Sequence, residues 1–160
     1  MSTRRCQPGT VRELVYSYRT TTTPDQEGAP AAALLQIRDA TQAATFASAL
    51  IGQEAVEHTA ILALDARHRV ISWHRVSMGS MSGATVHPRE IFHVLVRERA
   101  AGWIFCHNHP SGDAEPSPDD VSLSRRLKQA GELMGIALLD SVIVTSGGAW
   151  ASLRDRGMLS

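Results

Sequence analysis

The sequence predicts an α/β protein, a single domain built on a mixed β-sheet with helices on its flanks. Three observations predict it. Apolar runs of strand length recur at Thr59–Asp65, Ala101–Cys106 and Ile136–Thr145. Stretches with helical apolar spacing begin near Asp39, Pro88 and Ser117 and separate those runs. A chain of 160 residues is long enough for one real core and too short for two comfortable ones.

Each element has its own justification. Residues 1–9 read as a leader without structure, and residues 10–36 as an N-terminal strand followed by a polar loop. The strand is Val11–Tyr18, with Tyr16 and Tyr18 on one face; as a sheet edge it is a place where a second copy would pair, giving a homodimer. The domain proper spans residues 37–160. Asp39 or Thr41 caps a helix through about Leu50, whose apolar face is Ala43, Ala44, Phe46, Ala47 and Leu50. Thr59–Asp65 is a buried strand, Ala66–Arg69 a hairpin connection, and Val70–Val76 its partner. Ser77–Ala84 is small and glycine-containing, hence a loop. Pro88 opens a helix with Ile91, Phe92, Leu95 and Val96 in one stripe. Ala101–Cys106 is the next strand. Ser117-Pro118-Asp119-Asp120 starts a helix with Val121, Leu127, Ala130 and Met134 inward, which Gly135 ends. Ile136–Thr145, the Gly147-Gly148 turn and a return strand at Ala149–Leu153 close the chain.

Composition narrows the function classes. Lys plus Arg equals Asp plus Glu at 16 each, so no basic surplus marks a general nucleic-acid or anionic-membrane binder. Local basic pairs remain at Arg97 and Arg99 and at Arg125, Arg126 and Lys128, which leave nucleic acid open as a partner that charge does not support. The only cysteines, Cys6 and Cys106, form no CxxC pattern, which fits a reducing compartment. No apolar stretch reaches the length of a membrane span and no secretory signal core follows the N-terminus, so the expected location is the cytoplasm.

The chemistry concentrates in residues 107–120, HNHPSGDAEPSPDD. His107 and His109 stand two apart at the end of a strand, so both rings project from one side of the sheet. A turn-rich segment then returns Asp119 and Asp120 at a helix start. Two imidazoles and one carboxylate make a three-ligand set for zinc, one ion per chain, with a fourth position open to water. Such a site needs a separate carboxylate as base. Glu54, Glu57, Asp65, Glu90, Asp113 and Glu115 are the candidates; Glu57, at the start of the Thr59 strand, is favoured, with Glu54 next. Ser-Pro-Asp-Asp also reads as a helix start, with serine as N-cap, proline at the first helical position and acids in the first turn. Cys106 points to the face opposite His107 and belongs to the core. His87 is either a helix cap or a support for the site.

The arrangement of a glutamate, then His-x-His, seven residues, Ser, two residues and Asp resembles the signature of the JAMM or MPN-plus metalloproteases; here Glu57, His107, His109, Ser117 and Asp120 fill it. The wording EHTAILALD, VHPREIF, HNHPSGDAEPS and GELMGIALLD is similar to the RadC-like JAB domain over about Ile37 to the C-terminus. The resemblance implies a fold like that of the cytidine deaminases. It also implies zinc held by His107, His109 and Asp120, Glu57 as general acid and base, and Ser117 as hydrogen-bond donor to an oxyanion. It implies a peptide or protein substrate cleaved at a peptide or isopeptide bond. Longer RadC proteins carry an N-terminal helix-hairpin-helix-type region that this chain is expected to be too short to contain, so the DNA-repair label transfers poorly. An accessory role in DNA repair, recombination or mobile-element defence is the rival reading. Deamination is disfavoured, because the PCxxC segment that its signature requires is absent. Two positions depart from the family pattern: Cys106 stands where a small apolar residue is usual, and Ser141 where a histidine is typical.

Overall fold

The computed structural model describes residues 35–78 and 86–160. The expected leader, the Val11–Tyr18 strand and most of the Ser77–Ala84 loop lie outside the described residues. Eight elements follow in order: α1 (Ala40–Ile51), β1 (His58–Leu64), β2 (Val70–Met78), α2 (Pro88–Arg97), β3 (Gly102–Asn108), α3 (Pro118–Met134), β4 (Ala137–Val144) and β5 (Trp150–Ser152). The strands form one sheet in the order β2-β1-β3-β4-β5. β1 is antiparallel to both β2 and β3, β4 and β5 are antiparallel, and β3 and β4 run parallel with α3 as their crossover. This is the mixed α/β sandwich that the alternating sequence pattern predicts. Among the described residues no helix is long and apolar enough to cross a membrane.

Strand alternation sorts the core into two layers. Ala60, Leu62, Leu64, Ile104, Cys106, Val142 and Val144 face α1. Ile61, Ala63, Trp103, Phe105 and Leu138 face α2 and α3. Helix α1 approaches closely because its buried positions are nearly all small: Ala40, Ala43, Ala44 and Ala47, with Ile51. Asp39 caps it, its carboxylate accepting the Gln42 N–H at 2.8 Å. On the other face Trp103, Phe105, Ile91, Leu95 and Leu127 are fully buried, each contributing roughly 1.5–3 kcal/mol by area. Burial also pushes the Cys106 thiol up, as its place in the α1 layer requires.

Several expectations change. Val96 is 52% exposed and Met134 50%, so neither is a core residue. Leu127 is fully buried as expected and Val121 and Ala130 pack half-buried against the core, but the buried face of α3 also includes Asp120, Leu123, Ser124 and Gly131. Its polar members hide that face from an apolar count. At Gly131 a side chain would meet the Ile136 carbonyl at 2.5 Å, so only glycine allows the turn into β4. Gly135 then ends α3 with φ +69°. β2 runs on to Met78, and β3 extends through His107 to Asn108. His87 is the cap of α2: its Nδ1 accepts the Arg89 N–H at 3.2 Å.

Candidate metal centre

The site forms at the C-terminal ends of β3 and β4 and the N-terminal end of α3. β3 is the central strand, paired on both sides; His107 lies opposite Thr59 of β1 and Ile143 of β4. Past the strand the chain stays anchored, since the His109 N–H donates to the Val144 carbonyl at 2.9 Å. Gly112, at φ +86°, turns it back with an N–H bond to the His109 carbonyl of 3.1 Å. Helix α3 begins with a capping box. Ser117 Oγ accepts the Asp120 N–H at 3.2 Å, and the Asp120 carboxylate accepts the Ser117 N–H at 2.8 Å. The cap therefore fixes the direction of Asp120. The positive end of the helix dipole favours its charge as well.

Three side chains converge. His107 Nε2 and His109 Nε2 stand 3.2 Å apart; Asp120 Oδ1 lies 3.2 Å from the first and Oδ2 3.4 Å from the second. All three ligand atoms fall within 4.8 Å of one another. His109 Nδ1 is 2.7 Å from the Asp113 carbonyl, which only an N–H can satisfy. In the neutral ring Nε2 is then a lone pair facing another imidazole nitrogen and a carboxylate; a proton on Nε2, donated to Asp120, relieves that arrangement, and so does a cation between them. Two nitrogen donors, one carboxylate and an orienting hydrogen bond behind His109 fit a divalent transition metal. His107 and Asp120 are almost wholly buried, at 0% and 3% exposed, while His109 is 18% exposed. The site opens on the His109 side.

The charges answer one another. Hydrogen bonding to Asp120 raises the His109 pKa against the effect of burial, helped by the Asp113 carbonyl and by the charges of Asp120 and Glu57. Burial alone pushes Asp120 up, but hydrogen bonds from His107, His109 and Ser117 together outweigh it and hold the carboxyl well below its usual range.

Glu57 is half-buried and directly precedes β1. It stands two residues ahead of Thr59, the residue that pairs with His107 at the end of the β1–β3 ladder. The other acids lie elsewhere. Glu54 pairs with Arg75 at 2.8 Å and faces His58 at 3.5 Å. Asp65 bonds Arg69 at the far end of β1, Glu90 bonds Arg89 on the surface, and Glu115 bonds Arg156. Asp113 contributes its carbonyl to His109, while its carboxylate caps the Glu115 N–H at 2.9 Å. Ser117 is exposed, and its hydroxyl donates to Asp120 Oδ2 at 2.7 Å.

Sequence reasoning passes over Asn108. It is 1% exposed, and its side chain lies on the α1 face, opposite the two histidines. Its Oδ1 accepts the His58 N–H at 2.7 Å, and its Nδ2 donates to the carbonyls of Glu54 and Val56, each at 3.1 Å. The one available signal is an amide, able to donate and accept at once, placed between two ligand-type histidines.

Comparison with known proteins agrees with this architecture. Residues 37–158 match the family described as RadC-like JAB domain. A "UPF0758 protein" of Pelobacter propionicus is 47% identical over 103 residues, which is 64% of this chain and 44% of that protein. One from Geotalea uraniireducens is 45% identical over 103 residues, 64% of this chain and 45% of the relative. One from Chlorobium chlorochromatii is 43% identical over 114 residues, 71% of this chain and 51% of the relative. The chain thus spans about half the length of the curated relatives it matches.

Proposed function

This chain belongs to the RadC-like JAB domain family, and from that premise we propose that it is a zinc-dependent hydrolase, a JAMM-type metallopeptidase that cleaves a peptide or isopeptide bond. The observation that carries the reading is the convergence of His107 Nε2, His109 Nε2 and the Asp120 carboxylate; a separate carboxylate, Glu57, stands half-buried just ahead of β1. The two histidines and Asp120 would hold the ion. When bound, zinc supplies Lewis acidity, drawing the pKa of water toward about 7 and polarising a carbonyl oxygen.

The chain's own residues do the rest. Glu57 takes the proton of the attacking water and later returns it to the departing amine, the paired duty of a general base and acid. Glu54 is less suited, because its carboxylate is engaged with Arg75 and His58. Ser117 stands at the exposed rim, where a hydroxyl donor serves an oxyanion. Its proton now goes to Asp120 Oδ2, so that service requires the hydroxyl to rotate. The burial of His107 and Asp120 keeps bulk water from the inner side of the site.

The test is Glu57→Gln in the zinc-loaded full chain, assayed on unstructured polypeptides and on isopeptide-linked conjugates. Metal content should equal that of the wild type, and turnover should fall by roughly 10²–10⁴. Undiminished turnover removes Glu57 from its role. A wild-type chain that holds zinc yet cleaves neither class of bond removes the peptidase reading.

A further inference from the structure

The side chain of Asn108, in β3, makes three hydrogen bonds to the segment carrying Glu57. It reaches across the end of the sheet to three backbone sites on alternate residues: the Glu54 carbonyl, the Val56 carbonyl and the His58 N–H. Glu57 lies between the last two. This segment also meets β2, at the His58–Met78 pair. It falls between the end of α1 and the start of β1, and Ala55 and Val56 are exposed. One backbone bond, Glu54 N–H to the Ile51 carbonyl at 3.2 Å, ties it to α1, and the regular β1–β3 pairing begins only at Thr59.

We propose that Asn108 is a positioning residue: wedged between the two metal-ligand histidines, it clamps the backbone at residues 54–58 and so sets where the Glu57 carboxyl stands relative to them. The inference rests on the metallohydrolase reading for the meaning of that placement. The clamp itself rests on hydrogen bonds alone. Its logic is strand alternation. Residues 107 and 109 turn their rings to one face, so residue 108 necessarily turns to the other. A primary amide there is the one side chain of its size offering both an acceptor for an N–H and two donors for carbonyls. The same short segment of β3 then fixes the ligands on one face and the base-bearing backbone on the other. Any displacement of the strand end carries both together, which preserves their relative geometry.

The test uses amide hydrogen exchange on the full chain, with and without metal, together with pseudocontact shifts after loading with Co²⁺. Asn108→Ala should speed exchange of the His58 amide by at least about tenfold while the Ile61 and Phe105 amides in the β1–β3 ladder keep their protection. The Co²⁺-induced shifts of Glu57 and His58 should change, and those of Thr59 through Ala63 should stay. Asn108→Asp retains the acceptor but loses both donors; His58 should stay protected while the Glu57 shift still moves. Unchanged exchange and unchanged shifts in both variants overturn the clamp. Exchange that rises uniformly through the ladder in both variants assigns Asn108 to overall stability and overturns it too. Should the chain take up no Co²⁺, the metal-centre reading fails, while the His58 exchange rate still decides whether the clamp exists.

Discussion

His109 Nδ1 stands 2.7 Å from the carbonyl oxygen of Asp113, so the ring donates there and, when neutral, turns the lone pair of Nε2 toward His107 and Asp120. Because the Asp113 partner is a backbone carbonyl, the tautomer is fixed by the fold of the 109–113 turn and survives substitution of the Asp113 side chain. The apo chain should bind one Zn²⁺ or Co²⁺, measured by calorimetric titration. His107→Ala and Asp120→Ala should each weaken binding by more than about a hundredfold, beyond the 10–100-fold typical of losing an orienting partner. At a hundred times its Kd the ion should stabilise the wild type by about 2.7 kcal/mol, a gain that falls to about 0.4 kcal/mol or less in both variants. Equal affinity in wild type and variants would place the ion elsewhere.

Much of this site is legible in the residues because its parts are close in sequence. His107 and His109 share one strand end, and Ser117 to Asp120 forms a helix start that announces itself through Ser, Pro and two acids. The placement of Glu57 is a different matter. It depends on β1 pairing antiparallel to β3 in the register Thr59–His107, a relation between segments about fifty residues apart that no local pattern encodes. Asn108 is missed for the same reason, since its three partners all lie across that pairing. The inner face of α3 is partly misread for another. Ser124 and Gly131 are buried for what they bond or how closely they pack, whereas Met134 is apolar and lies outside. Periodicity of apolar residues records only hydrophobic reasons for burial.

Ser117 carries a helix cap as well as a contact to a ligand-type carboxylate, and the two can be separated. Ser117→Ala removes the acceptor for the Asp120 N–H and the donor to Asp120 Oδ2. Loss of the cap should cost about 1 kcal/mol in urea unfolding of the metal-free chain. Ser117→Asp keeps a good capping acceptor but sets a second carboxylate beside Asp120. It should recover part of that stability in the metal-free chain only to the extent that the acceptor outweighs the repulsion between the two acids. A Ser117→Ala chain as stable as wild type would show that the Ser117 hydroxyl contributes nothing to the cap.

Asp65 links the pH response to the β1–β2 hairpin. Its carboxylate accepts the Arg69 N–H at 2.9 Å, the Arg69 guanidinium at 2.6 Å and the Arg67 N–H at 2.8 Å. These bonds, the Arg69 backbone first, lower its pKa from 3.8 to about 2. A carboxyl whose folded pKa is depressed adds stability above its unfolded pKa and loses it as pH falls through the folded one. The contribution should therefore be complete above about pH 4 and fade toward pH 2. In Asp65→Asn, unfolding free energy should depend less on pH across that window than in the wild type. Parallel curves for the two chains would assign the acid response to other carboxylates.

The departure at Ser141 has a structural counterpart. Ser141 is fully buried on the α3 face of β4, in register with Phe105, and its Oγ accepts the Ser124 hydroxyl at 2.8 Å. Ser124 is one helical turn beyond Asp120, so this buried bond ties the end of α3 that carries Asp120 to β4. Removing either hydroxyl leaves the other buried with one partner fewer, at a cost of about 1–3 kcal/mol. Removing both leaves two small apolar groups facing each other. The double variant Ser124→Ala/Ser141→Ala should thus lose less stability than the two single losses added together, with a coupling of about 1 kcal/mol in a double-mutant cycle. Metal affinity supplies a second reading of the same cycle. If the bond steadies the first turns of α3, each single variant should bind Zn²⁺ more weakly than wild type, because Asp120 then has more freedom to turn from His107. Additive stability losses would mean that the two serines do not sense each other, and unaltered affinity would confine their bond to holding the helix on the sheet.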